Sequence, residues 1–157
     1  MKSKIIFLVA LMMGIIISSQ AQQIIKKDIE IDAMVKEISV DTLSQNLNKL
    51  VSFGTRATLS NQSSAIKGIG AARAWILSRF NDYAKSSNGR LTAFIDTITY
   101  NADKRRVDRP IILGNVVATL KGTDPNDKRI FIISGHLDSR RSNEMDSVGD
   151  APGANEI

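Results

Sequence analysis

His136 is the only histidine in the 157-residue chain. It follows directly on the apolar run Arg129 to Ser134 (RIFIIS), inside the segment Gly135-His136-Leu137-Asp138-Ser139. Imidazole is a common zinc ligand, and a ligating histidine usually donates its other ring N–H to a carboxylate that fixes the tautomer. Asp138, two residues on, shares a side with His136 if the segment is extended, and is placed for that task. Glu156 offers a further oxygen ligand by way of the loop that Pro152 and Gly153 shape. The chemistry these residues suggest is a metal site on His136, with Asp138 behind the ring and Glu156 as a third group able to enter it. Taken alone the pattern is short, because His-x-Asp arises by chance and a lone histidine is more often a structural or surface residue.

The elements that must position these groups can be read from periodicity. Residues 22–40 form a polar-apolar lead-in whose alternation at Ile29, Ile31 and Ala33 suits a short strand or an irregular segment. Asp41 reads as an N-cap, and Leu43, Leu47, Leu50 and Val51 then fall at helical spacing up to a glycine stop at Phe53-Gly54. After a turn-rich loop, a second helix is predicted from about Ala65 to Ala84, with Ile66, Ile69, Ala72, Ile76, Leu77 and Phe80 on one stripe. Gly68 and Gly70 weaken its first turn by up to ~1 kcal/mol each relative to alanine, and would admit a second backbone at close range.

From Leu91 the period changes. Leu91 to Tyr100 alternates as a half-buried strand, and Ile111 to Leu120 (IILGNVVATL) is a second β-rich run after a charged connection. Gly122 to Asn126 makes a turn, and Arg129 to Ser134 is apolar enough for a central strand buried on both faces. Helices followed by strands predict an α/β sandwich that opens with helical segments and an antiparallel pair. The histidine segment then lies at the carboxyl end of a strand, where open α/β sheets place ligands.

Composition narrows the function classes. Lys2 and Lys4, the apolar run Ile5 to Ile17 and the small residues Ser18-Ser19-Gln20-Ala21 follow the order of a cleavable export signal, with cleavage ahead of Gln22. The apolar run is shorter than the roughly 20 residues of a spanning helix, so no stable membrane anchor is expected. Residues 1–21 are therefore read as a signal peptide, 22–40 as a lead-in or possible pro-segment, and 41–157 as one domain or the N-terminal part of one, exported to the periplasm or the extracellular space. Losing Lys2 and Lys4 lowers the basic residues from 21 to 19 against 16 acidic, and the charge from +5 to +3. Lys104-Arg105-Arg106 and Arg140-Arg141 are short runs without interleaved aromatics, which argues against nucleic acid as a partner. Without cysteine, neither a disulfide framework nor a lipid-anchored lipoprotein is possible.

Asn115 to Gly122 (NVVATLKG), Ile130 to Ser139 (IFIISGHLDS) and Ala151 to Asn155 (APGAN) occur here in order. Together they resemble the secreted zinc-dependent aminopeptidases of metallopeptidase family 28, over roughly the last 45 residues. The resemblance implies the N-terminal part of a three-layer αβα sandwich with a mixed central sheet. It also implies a reaction in which two zinc ions activate a water that hydrolyses peptide bonds at chain termini, with peptides or proteins as substrate. By the same resemblance His136 ligates one zinc and Asp138 is the active-site carboxylate behind it. Glu156 stands where the family has an aspartate bridging both ions, and Ile157 departs from the polar residue usual at the next place.

The family's general base, its remaining acidic ligands and its second zinc-binding histidine lie beyond the bridging position. The resemblance therefore predicts that this chain is the front part of a longer enzyme, through a premature stop, a frameshift or incomplete sequence. Alone it would be inactive, with the Arg129–Ser134 strand left as an unpaired apolar edge. A glutaminyl cyclase-like enzyme using one zinc on the same scaffold, and a non-catalytic exported remnant, are the alternative expectations.

Overall fold

The computed structural model describes residues 27–103 and 105–153, which form three helices and a two-stranded antiparallel sheet. The architecture is α/β, with the content of part of an α/β domain. The chain divides into two compact units, one ending at Ser39 and the other beginning at Val40. The export-signal residues 1–21 and Glu156 lie outside the described residues. Among those described, no helix is long and apolar enough to cross a membrane.

In the first unit, α1 spans Ile29–Lys36, so the alternation at Ile29, Ile31 and Ala33 belongs to a helix and not to a strand. Local polar groups decide this. The Asp28 carboxylate caps the helix, accepting from the Glu30 and Ile31 amides at 2.9 and 3.3 Å. Asp32 then pairs with Lys27 at 2.5 Å and with Lys36 one turn on at 2.8 Å. Hydrogen bonds from these lysines hold the Asp32 carboxyl below its ordinary range.

The second unit opens with α2, Val40–Ser52, which starts one residue before the predicted cap and leaves Asp41 in the first turn. Its exit follows the expected glycine stop. Gly54 adopts φ +68°, and its amide donates to the Val51 carbonyl at 2.9 Å. Helix α3 runs Gly68–Ala84, so Ile66 precedes it and is exposed. Its first turn is pressed against the loop before it. Gly68 and Gly70 donate to the Phe53 and Asn61 carbonyls at 2.9 and 3.1 Å, and the Ser60 hydroxyl accepts from the Ile69 amide at 2.9 Å. A Cβ on Gly70 would fall 2.1 Å from the Gln62 carbonyl oxygen. Both glycines are thus where two backbones meet.

Helix α3 covers β1 (Leu91–Tyr100) more than β2 (Ile111–Leu120). The two strands pair in the register Leu91↔Leu120 to Tyr100↔Ile111. The core is small: Phe53, Ala71 and Ala72 are buried, with Leu50, Trp75 and Leu137 packed around them. Phe53 and Trp75 meet with ring centroids 6.2 Å apart. Burying one such side chain contributes about 1.5–3 kcal/mol. Leu137 joins this cluster from the segment that carries His136.

The sheet differs from expectation at Arg129–Ser134. This run makes no strand pair, and Ile130, Phe131, Ile132 and Ile133 are 82–99% exposed. A central strand needs neighbours on both edges and cover on both faces. Among the described residues β1 pairs only with β2, and neither bonds to this run. The segment is therefore not a strand, neither the buried one that composition and the resemblance suggest nor one with a single unpaired edge. A mixed central sheet and a three-layer sandwich are not formed by the described residues.

Candidate functional site

The segment after the apolar run is held in place by alternation. Leu137 and Ser139 turn inward, Leu137 to the core cluster and Ser139 to near-complete burial. His136 and Asp138 take the other side, as successive side chains of an extended chain do. Their side chains are 66% and 43% exposed, and His136 Nδ1 stands 3.2 Å from Asp138 Oδ1 and 3.1 Å from the Asp138 carbonyl oxygen. With Nδ1 directed at the carboxylate, Nε2 is the ring nitrogen suited to a metal.

The second motif loop reaches the first through Ser139 and Arg56. The Ser139 hydroxyl donates to the Ala151 carbonyl at 2.5 Å and accepts from the Arg56 amide at 3.2 Å. The Arg56 side chain is buried with the residue, its Nε donating to the Leu137 carbonyl at 2.7 Å. Its Nη1 donates to the Leu50 and Pro152 carbonyls at 2.9 and 2.7 Å. Gly153 closes the contact with φ +56°, where a Cβ would sit 2.5 Å from Ser139 Cβ. The Gly-His-Leu-Asp-Ser and Ala-Pro-Gly segments are therefore brought together. Sequence reading gave Arg56 no role, since nothing local distinguishes an arginine after a glycine stop.

Charge surrounds the Asp138 side of the site. A cleft is lined by Asp138 together with Tyr100, Asp103, Arg106, Arg140 and Glu144. Glu144 pairs with Arg106, and with Arg140 at 3.6 Å. Asp103 accepts from the Arg105, Val107 and Arg106 amides, each at 2.9 Å, and these bonds lower its carboxyl to about 2. A larger hollow beside the start of α3 and the start of β2 includes neither His136 nor Asp138. Size alone thus points away from the histidine pair, and donor chemistry is the better guide.

The His136–Asp138 pair fits one corner of a zinc site, an imidazole backed by a carboxylate. Among the described residues no group of three or more histidine, cysteine, aspartate or glutamate side chains could hold a metal ion. A zinc centre built on His136 would need donors in addition to these.

Comparison with known proteins supplies the chemical context. The chain is similar in sequence to proteins named probable zinc metalloproteases. One from Phaeosphaeria nodorum is 41% identical over 131 residues, covering 83% of this chain and 26% of the relative. Others from Pyrenophora teres f. teres and Pyricularia oryzae are 44% and 40% identical over 128 and 129 residues, covering 81% and 82% of this chain. The chain spans 27% and 25% of those two, so it corresponds to about a quarter of the curated relatives it matches. These names support zinc as the metal and a metallopeptidase as the kind of protein of which this chain matches a part. No family model matches the chain, and no solved structure does.

Proposed function

We propose that this chain is the N-terminal part of an exported zinc aminopeptidase resembling metallopeptidase family 28. The observation that carries the reading is the His136–Asp138 pair, set at 3.2 Å on a segment anchored to the core by Leu137 and joined to the Ala151–Gly153 loop. In this reading His136 holds one of two zinc ions through Nε2, and Asp138 keeps the proton on Nδ1 and the ring in orientation. By the resemblance, Glu156 would supply a further carboxylate ligand. Zinc bound there would supply Lewis acidity toward the scissile carbonyl and an acidified water. The remaining ligands and the general base come from sequence beyond this chain, which alone turns over no substrate. The substrates are peptides or proteins with an accessible N-terminus.

The test is the protein encoded when reading continues past codon 157 in each forward frame. The expected product contains an acidic cluster, a glutamate pair and a later histidine. Once expressed, it should release N-terminal residues from peptides, lose that activity to a chelator, regain it with zinc, and fall at least about a hundredfold in His136→Ala. Unrelated sequence in every frame, or hydrolysis that persists after chelation, would defeat the proposal.

A further inference from the structure

We propose that the outer edge of β2 is a self-association surface, on which a second copy of this chain pairs β2 against β2 across a two-fold axis to make one continuous sheet. The proposal draws on the sheet alone and is independent of the metal reading.

The argument begins with the backbone groups that point outward. The Ile112 amide donates to Gln62 Oε1 and its carbonyl accepts from Arg73 Nη1, each at 3.1 Å, so both groups face away from β1. Lys121 instead gives its amide to the Arg90 carbonyl, on the β1 side, at 2.9 Å. Residues of an antiparallel strand alternate in this respect. Gly114, Val116, Ala118 and Leu120 therefore direct their N–H and C=O groups outward with Ile112. Among the described residues no third strand pairs with them. The strand IILGNVVATL holds no charged residue and no proline, the devices that usually guard an edge. Helix α3 lies more over β1 than over β2, which leaves this edge clear.

The register follows from where the free edge stops. Arg73 and Gln62 close it at Ile112, and β2 ends at Leu120. Full overlap with a two-fold copy sets Gly114 opposite Leu120 of the second copy and Val116 opposite Ala118, with Val117 on the axis. Each outward pair then exchanges two backbone hydrogen bonds. Side chains agree with this register. A Cβ on Gly114 would meet Arg73 of α3, so the even-numbered residues of β2 face the helix and Val117 faces the open side. There Val117 stands opposite Phe94, which is 51% exposed. Two copies complete one apolar row across the joined sheet, running Phe94, Val117, Val117, Phe94.

The outer edge of β1 is the competing surface, and charge decides against it. The Leu91 amide donates to Ser87 Oγ, so the odd-numbered residues of β1 point outward. Full overlap of Ala93 to Thr99 with a copy would set Asp96 directly against Asp96. Like charges in that position are destabilising.

The experiment uses the whole chain and its Val117→Lys, Val117→Cys, Thr119→Cys and Ile132→Asp variants. Sedimentation equilibrium across the micromolar range should show monomer and dimer. Amide hydrogen exchange should show Gly114, Val116, Ala118 and Leu120 protected only as the dimer fills. Val117→Lys sets two cations on the axis and should weaken the dimer by about tenfold or more. The Leu113 and Thr119 amides, bonded to β1, should stay protected in that variant and report an intact strand pair. The natural chain has no cysteine. In Val117→Cys the two Cα atoms would lie about 4.5 Å apart, within disulfide reach, and should cross-link under mild oxidation. In Thr119→Cys they would lie roughly 13 Å apart along the strand and should not. Ile132→Asp should remove larger species and leave the dimer.

A chain that stays monomeric, a dimer unchanged by Val117→Lys, or cross-linking as fast in Thr119→Cys as in Val117→Cys would overturn the proposal. So would protection of the outward amides at every concentration, which would put a segment of the same chain on the edge. Loss of the dimer in Ile132→Asp but not in Val117→Lys would move the interface to the apolar run and overturn it as well.

Discussion

Replacing Gly70 by alanine should destabilise the protein, although the same change in an exposed helix stabilises by about 1 kcal/mol. At Gly70 a Cβ would lie 2.1 Å from the Gln62 carbonyl oxygen and 2.3 Å from its carbon. Relief requires the Asn61–Gln62 backbone to retreat by more than an ångström from the first turn of α3. That movement would break the 3.1 Å bond from the Gly70 amide to the Asn61 carbonyl, worth about 1 kcal/mol. Overpacking adds about 1–3 kcal/mol. Set against the propensity gain, the net loss is about 1–3 kcal/mol. In urea, with a slope of about 1–3 kcal/mol per molar, the unfolding midpoint should fall by roughly 1 M. Equilibrium unfolding followed by Trp75 fluorescence measures this directly. A midpoint that rises, as propensity alone requires, would refute the close backbone approach at the start of α3.

The core contact of the site segment is open to a similar test: Leu137→Ala should cost about 1–3 kcal/mol in the same unfolding assay, since Leu137 is half-buried. An unchanged midpoint would detach the segment from the core. The apolar run should behave oppositely. Ile132→Asp should leave stability within about 0.5 kcal/mol and reduce self-association in light scattering, because Ile132 is 86% exposed in an unpaired segment; a large loss of stability would contradict that exposure. Asp103 should titrate at about 2 by carboxyl 13C NMR, held down by amide donors. Because its folded value is depressed, its contribution to stability is present above the unfolded value of 3.8 and is lost as pH falls through about 2. A midpoint near 3.8 would contradict the turn geometry.

Local rules made much of the framework legible. Both strands begin and end where alternation and β-branched residues place them, and α2 begins one residue before its predicted cap. The lead-in was ambiguous because Ile29, Ile31 and Ala33 fit either period, and the Asp28 cap and Asp32 ion pairs settle it as a helix. Arg129–Ser134 departs from expectation for another reason. Hydrophobicity states what a segment can bury, whereas burial itself depends on partners that the described residues do not provide. At the site, His136 and Asp138 stood out by residue type and spacing. Arg56 did not, since it acts on carbonyl oxygens far along the chain, and every residue carries one of those.

The most direct test of the account is a zinc titration of the longer protein read past residue 157, followed at the His136 ring by 15N NMR in wild type, Asp138→Asn and His136→Ala. The account expects Nε2 to take the metal while Nδ1 keeps its proton toward Asp138, with binding weakened about 10–100-fold in Asp138→Asn and lost in His136→Ala. A ring that does not respond to zinc, or zinc bound equally well without His136, would contradict it.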